Sequence, residues 1–187
     1  LLHKYPIVFY GIYAKHTYNT TNEQPMASPR ALLIEEAKNQ LLPALESLGF
    51  RGIDPENEVY RPLDELGRAF PFGRFRRVNA EGNFDQLEIQ FDNSGGCKFR
   101  ICAGIVPSKG IEHPQGYISV SEAWAHYLPC WASLYQQRLF KRWFAPQAND
   151  KISRQQAVEA AAELLPEINH WLISGTRGRH MHVTNAY

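Results

Sequence analysis

The stretch FGRFRRVNAEGNFDQLEIQFDNSGGCKFRICAGIVP, residues 72–107, gathers many groups able to hold a ligand or partner. Arg74, Phe75, Arg76 and Arg77 come first with no acid among them, and Lys98 and Arg100 follow on a later segment. Guanidinium groups grip phosphates and carboxylates, while aromatic faces stack on unpaired bases. Such a set suits an acidic protein partner or single-stranded nucleic acid. It also suits a purely internal use. Glu88, Gln90 and Asp92 lie on the segment between, and cross-strand pairing of Arg with Glu would cancel much of the charge. Those neighbouring counter-charges favour a solvated or self-paired sheet face over either ligand.

A second contact candidate is QRLFKRWF, residues 137–144. Protein interfaces are enriched in Arg and aromatic residues, and Arg138, Arg142, Trp143 and Phe144 combine them. This segment is the expected protein-contact surface.

The other reactive residues form weaker sets. His180 and His182 stand two apart, but no nearby Asp, Glu or Cys completes a zinc ligand set. His126 and Cys130 are four apart, a helical spacing that Pro129 interrupts, so a thiol nucleophile is not expected. His113 beside Glu112, and His126 near Glu122, do not define an acid–base pair. Neither a G-x-S-x-G elbow, a Walker loop, an H-E-x-x-H helix nor a dinucleotide glycine pattern occurs. The glycines of NSGGCK join strand to strand, whereas a phosphate cradle wants a helix after them. No catalytic residue, cofactor or metal is therefore predicted.

These groups must be positioned by a small set of elements. Ser28 followed by Pro29 is a helix start. Leu33, Ala37, Leu41, Ala44 and Leu48 form its apolar stripe, Leu32, Ile34 and Leu45 widen it, Pro43 should kink it and Gly49 should stop it. EVYR reads as a short edge strand limited by Pro62, and LDELGRAF as a helical turn. In QLEIQFD and CKFRICAGI the alternation of apolar and polar residues predicts antiparallel strands with one buried face. AEGN and DNSGG supply the turns. Ser119 and Glu122 have capping-box spacing, which predicts a short helix ending at Pro129. Residues 130–144 fit helix or strand. Ser153 and Gln156 again have capping-box spacing, before a stripe of Ala157, Ala161, Leu164, Leu165, Ile168, Trp171 and Leu172. Pro166 should bend that helix and Gly175 should end it.

The prediction is an α+β fold, with a three- or four-stranded antiparallel meander packed against N- and C-terminal helices. Residues 1–25 read as an appendage or linker, 26–175 as one domain opening at MASPRALL, and 176–187 as a polar tail.

The order of the short motifs resembles the bacterial domain-of-unknown-function family 4304 over residues 26–175. ALLIEEAKNQLLPALESLGFR resembles its opening helix with a terminal Gly-Phe, and VYR or RFRR, LEIQF and FRICAGIVP occupy the places of its strands. QRLFKRWF resembles its aromatic-rich segment and AVEAAAELLPEINHWL its closing helix. The resemblance implies an α+β fold and a bacterial source, and it brings no activity or catalytic residues. By analogy with other small bacterial domains, an immunity-like role beside a toxin system is an expectation.

Composition narrows the classes. The 187 residues carry a net charge of +1, from 20 Lys+Arg against 19 Asp+Glu, so any basic function needs a local patch. The apolar run PIVFYGIY is too short to span a bilayer, so no membrane role is expected. Three cysteines without a C-x-x-C pair suit reduced thiols in a cytoplasmic protein. The leading expectation is a non-catalytic protein-binding module. Single-stranded nucleic-acid binding through the Arg/Phe strand is the alternative, and an enzyme with an unrecognised site is the third.

Overall fold

The computed structural model describes residues 27–53 and 68–185. The expected appendage at 1–25, the EVYR strand and most of LDELGRAF lie outside the described residues. Helix α1 spans Pro29–Ser47, and its Ser28 cap accepts a hydrogen bond from the Ala31 backbone at 3.2 Å. Leu33, Ala37, Leu41 and Leu45 are its buried residues, and the helix runs on through the exposed Pro43. Helix α2 spans Lys151–Ser174. Asp150, not Ser153, is its cap: the Asp150 carboxylate accepts from the Ser153 backbone at 2.7 Å. Gly175 ends it in the left-handed conformation, as its position predicts.

The sheet is antiparallel and larger than the expected meander. It contains β1 (Arg51–Gly52), β2 (Arg74–Val78), β3 (Phe84–Phe91), β4 (Phe99–Val106), β7 (Cys130–Leu134) and β8 (Met181–Asn185), in the order β1-β2-β3-β4-β7-β8. A separate two-stranded ribbon, β5 (Ile111–His113) and β6 (Gly116–Ile118), interrupts the sequence between β4 and β7. Residues 181–185, expected in a polar tail, form the sheet's outer strand. The ambiguous 130–144 segment becomes β7 and a tight hairpin in which Gln137 bridges Arg142.

Both helices cover one face of the sheet. Leu87, Ile89, Phe91, Phe99 and Ile101 join Leu33, Leu41, Val158, Ala161 and Ile168 in the main core, as the two periodicities require. The other face was expected to be wet, and it is covered. Residues 119–128 cross it as a strap. They make two 3-10 turns, Val120–Glu122 and Ala125–Tyr127, in place of the expected short helix. Ser119 and Glu122 do meet, with the Ser119 hydroxyl donating to the Glu122 carboxylate at 2.6 Å. Leu128 anchors the end of the strap in a second apolar cluster with Val106, Ile111 and Ala123. Gly104 makes room for it, since a Cβ there would lie 2.1 Å from a Leu128 methyl.

Candidate functional site

Directly opposed residues in a sheet share a face. The register therefore lines up Arg74, Glu88, Cys102, Ser133 and His182 across five strands on the strap side. A second row, Arg76, Gln86, Gly104, Trp131 and Thr184, runs beside it.

Under the strap the polar groups of these rows are consumed internally. Arg74 is 1% exposed and donates to the Ser121 and Ala123 carbonyls at 2.7 and 3.0 Å. Its guanidinium lies 4.8 Å from the Trp124 ring. Arg76 donates to the Gln86 amide oxygen at 2.6 Å and to the Val120 carbonyl at 2.7 Å. Phe75 belongs to the main core. Arg77, pointing to the other side, pairs with Asp85 at 2.9 Å, donates to the Leu48 carbonyl and sits over Phe50. It ties the end of α1 to the sheet. The expected nucleic-acid or acidic-partner patch of Arg74, Phe75, Arg76 and Arg77 is thus not a surface. Internal use was the favoured reading, yet its form differs. Strap carbonyls, more than a solvated carboxylate row, take the guanidinium protons, because a buried cation must be hydrogen-bonded.

Beyond the strap's edge the same face opens into a cavity of about 260 Å³. Glu88, Gln90, Arg100 and Cys102 form its floor, with Phe70, Trp131 and His126 around them. Glu88 is buried and receives two hydrogen bonds on Oε1, from the Ala125 backbone at 2.7 Å and the Gln86 amide at 2.6 Å. Burial is the largest influence on it and outweighs those bonds and the charges of Arg74 and Arg76, pushing its carboxyl up to about 7. Burial likewise pushes the Cys102 thiol up to about 11, so it is an inert wall. Desolvation, then the charges of Arg100 and His113, holds His126 below the ordinary histidine value.

Arg100 faces this cavity instead of joining a patch with the other arginines. Its Nε donates to the Gln90 amide oxygen and its Nη1 to the Tyr135 hydroxyl, both at 2.7 Å. The rings of Trp143, Trp131 and Tyr135 stand 5.0, 5.8 and 5.9 Å from it. Lys98 pairs with Asp92 at 3.4 Å and lies 5.6 Å from Trp143.

The 137–142 hairpin carries the remaining candidate surface. Leu139 and Phe140 at its tip are 81% and 78% exposed. Arg138, Lys141 and Arg142 flank them, and Lys141 takes the left-handed conformation that closes the turn, with φ 47°. Nearby on β8, burial comes first and then the charges of Lys141, Arg177, Arg138 and Arg100 in holding His182 below its ordinary value. No carboxylate figures among those influences. Arg142 is exposed and Trp143 half-buried, but Phe144 is not a contact residue. It is fully buried, stacked 5.4 Å from Phe99, and its backbone bridges Phe99.

The rejected reactive sets stay apart. His126 lines the cavity, while Cys130 lies on an open groove with Trp171, Leu172 and Val183. His180 Nδ1 meets the Glu167 carboxylate at 2.6 Å. Among the described residues no cluster of three metal-ligating side chains occurs, and no helix is long and apolar enough to cross a membrane. Sequence reasoning missed Leu139 and Phe140 as the exposed pair, and missed Glu88 as a buried acid. Leu139 and Phe140 lie inside QRLFKRWF, where a run of apolar residues between cations is the legible signal. Glu88 had only its alternation with Leu87 and Ile89, which marks a face without saying what covers it. No family model, curated protein or solved structure matches this chain.

Proposed function

We propose that the chain is a non-catalytic binding module whose partner is a protein with an acidic surface around an apolar notch. One observation carries this reading: Leu139 and Phe140 project from a hairpin tip, largely exposed, between Arg138, Lys141 and Arg142. Exposed large apolar groups ringed by charge are what interaction sites present. The cations would steer an acidic partner and the two apolar side chains would anchor it. The immunity-like role belongs to the same reading and adds a partner encoded nearby. The alternative through the Arg/Phe strand loses support because Arg74, Phe75 and Arg76 are buried.

Tagged full chain, incubated with native lysate, should retain a stoichiometric protein that survives nuclease treatment. Leu139→Ser with Phe140→Ser should release it without lowering the melting temperature, and Arg142→Ala should weaken it at low salt and have less effect as salt rises. An eluate that disappears with nuclease, or a partner retained equally by the tip variant, would overturn the reading.

A further inference from the structure

We propose that the cavity over Glu88 and Arg100 is a binding site for a small organic carboxylate built on one aromatic ring, with a polar group at the far end. This rests on the cavity alone and is independent of the hairpin reading.

Arg100 supplies the anion-binding pole. Its guanidinium is held by Gln90 and Tyr135 and walled by three aromatic rings, so its orientation is set in advance. Gln90, Tyr135 and the Cys102 thiol together do not use all the N–H groups of the guanidinium, and none of the ion pairs among the described residues involves Arg100. A positioned guanidinium with an unused donor and no carboxylate partner is suited to a ligand carboxylate.

Glu88 supplies the second pole. Both of its hydrogen bonds fall on Oε1, leaving Oε2 without one among the described residues, although the residue is 1% exposed and lines the cavity. A carboxyl oxygen at a cavity wall, with its hydrogen bonds inside the protein made by the other oxygen, is placed to face water or a ligand. With its carboxyl raised to about 7 by burial, Glu88 at neutral pH is protonated in a large fraction of molecules and can donate to a ligand oxygen. In that form it does not repel an anion.

The spacing and walls choose the ligand's size. Glu88 faces Cys102 and Gln90 faces Arg100 in the register, so Glu88 and Arg100 stand one diagonal step apart on adjacent strands, with Cα atoms about 7–8 Å apart and both residues on the cavity wall. A single six-membered ring with substituents at opposite ends spans such a step. A volume of about 260 Å³ admits one ring and little more. Phe70 and Trp131 offer apolar faces to it, and the Cys102 thiol takes no chemical part.

The probe is 4-hydroxybenzoate, titrated calorimetrically into the full chain, with 4-hydroxybenzamide as its neutral counterpart. The carboxylate should bind saturably and about tenfold or more tightly than the amide, the margin of a charge-assisted bond. Arg100→Gln should remove that preference, while Lys38→Ala on α1 should leave it intact. Absence of saturable carboxylate binding, or equal affinity for acid and amide, would overturn the proposal with wild-type protein alone. So would an Arg100→Gln protein, folded by its melting curve, that binds the carboxylate unchanged.

Discussion

Glu88→Gln should make this protein more stable at pH 8 and leave it nearly unchanged at acid pH. The replacement keeps the shape, and the oxygen of the new amide can still accept from the Ala125 and Gln86 nitrogens that now bond Oε1. It removes the need to bury a charge. Burial raises the carboxyl from 4.5 to about 7, so between those values the folded chain holds a proton that the unfolded chain has released. Stability then falls as pH rises through that window, and the loss is complete above the folded value. Integrating the two titrations gives a penalty of about 0.2 kcal/mol at pH 4 and about 3 kcal/mol at pH 8. Urea denaturation of both proteins at pH 4, 5, 6, 7 and 8 would read it, since other groups titrate alike in the two chains. The wild-type curve should descend relative to the variant by about 3 kcal/mol across this range. Parallel curves would refute the reasoning, showing that Glu88 is not desolvated by the strap.

Two other tests address the remaining placements. Phe144→Ala should cost about 3–5 kcal/mol because Phe144 is buried against Phe99, whereas the exposed Arg142→Ala should stay within about 0.5 kcal/mol. Equal shifts in denaturation midpoint would contradict that division. Replacing Arg138 and Lys141 by Gln should raise the His182 titration, followed by the imidazole proton resonance. The value should remain below the ordinary one because burial is the larger influence. An unmoved titration would dissolve the cationic cluster beside the hairpin.

The helices were legible because their apolar spacing has a period that propensity and capping reinforce. Leu33, Ala37 and Leu41 line one face of α1 wherever that face is packed, and Ala157, Ala161, Leu165 and Ile168 do so for α2. The same held for Leu87, Ile89 and Phe91. The outer strand β8 was not legible. MHVTN is short, and among the described residues β7 alone pairs with it, so its sequence carries little alternation to read. The cap of α2 shifted from Ser153 to Asp150 for a related reason: Ser, Thr, Asp and Asn all suit the position, and several stand together there.

The α+β class, the two helix faces, the paired β3 and β4, and the apolar–basic character of QRLFKRWF can all be read from the order of residues. Each of these is a local pattern that survives whatever packs against it. The fate of Arg74, Arg76, Glu88 and Arg100 depends instead on long-range packing. They occupy polar positions of alternating strands, and such alternation distinguishes the two faces without saying which face meets water. What covers theirs is a strap of irregular backbone that binds through its own carbonyls and amides. Every residue but proline offers both of those groups, so no side-chain pattern announces where such a cover will fall.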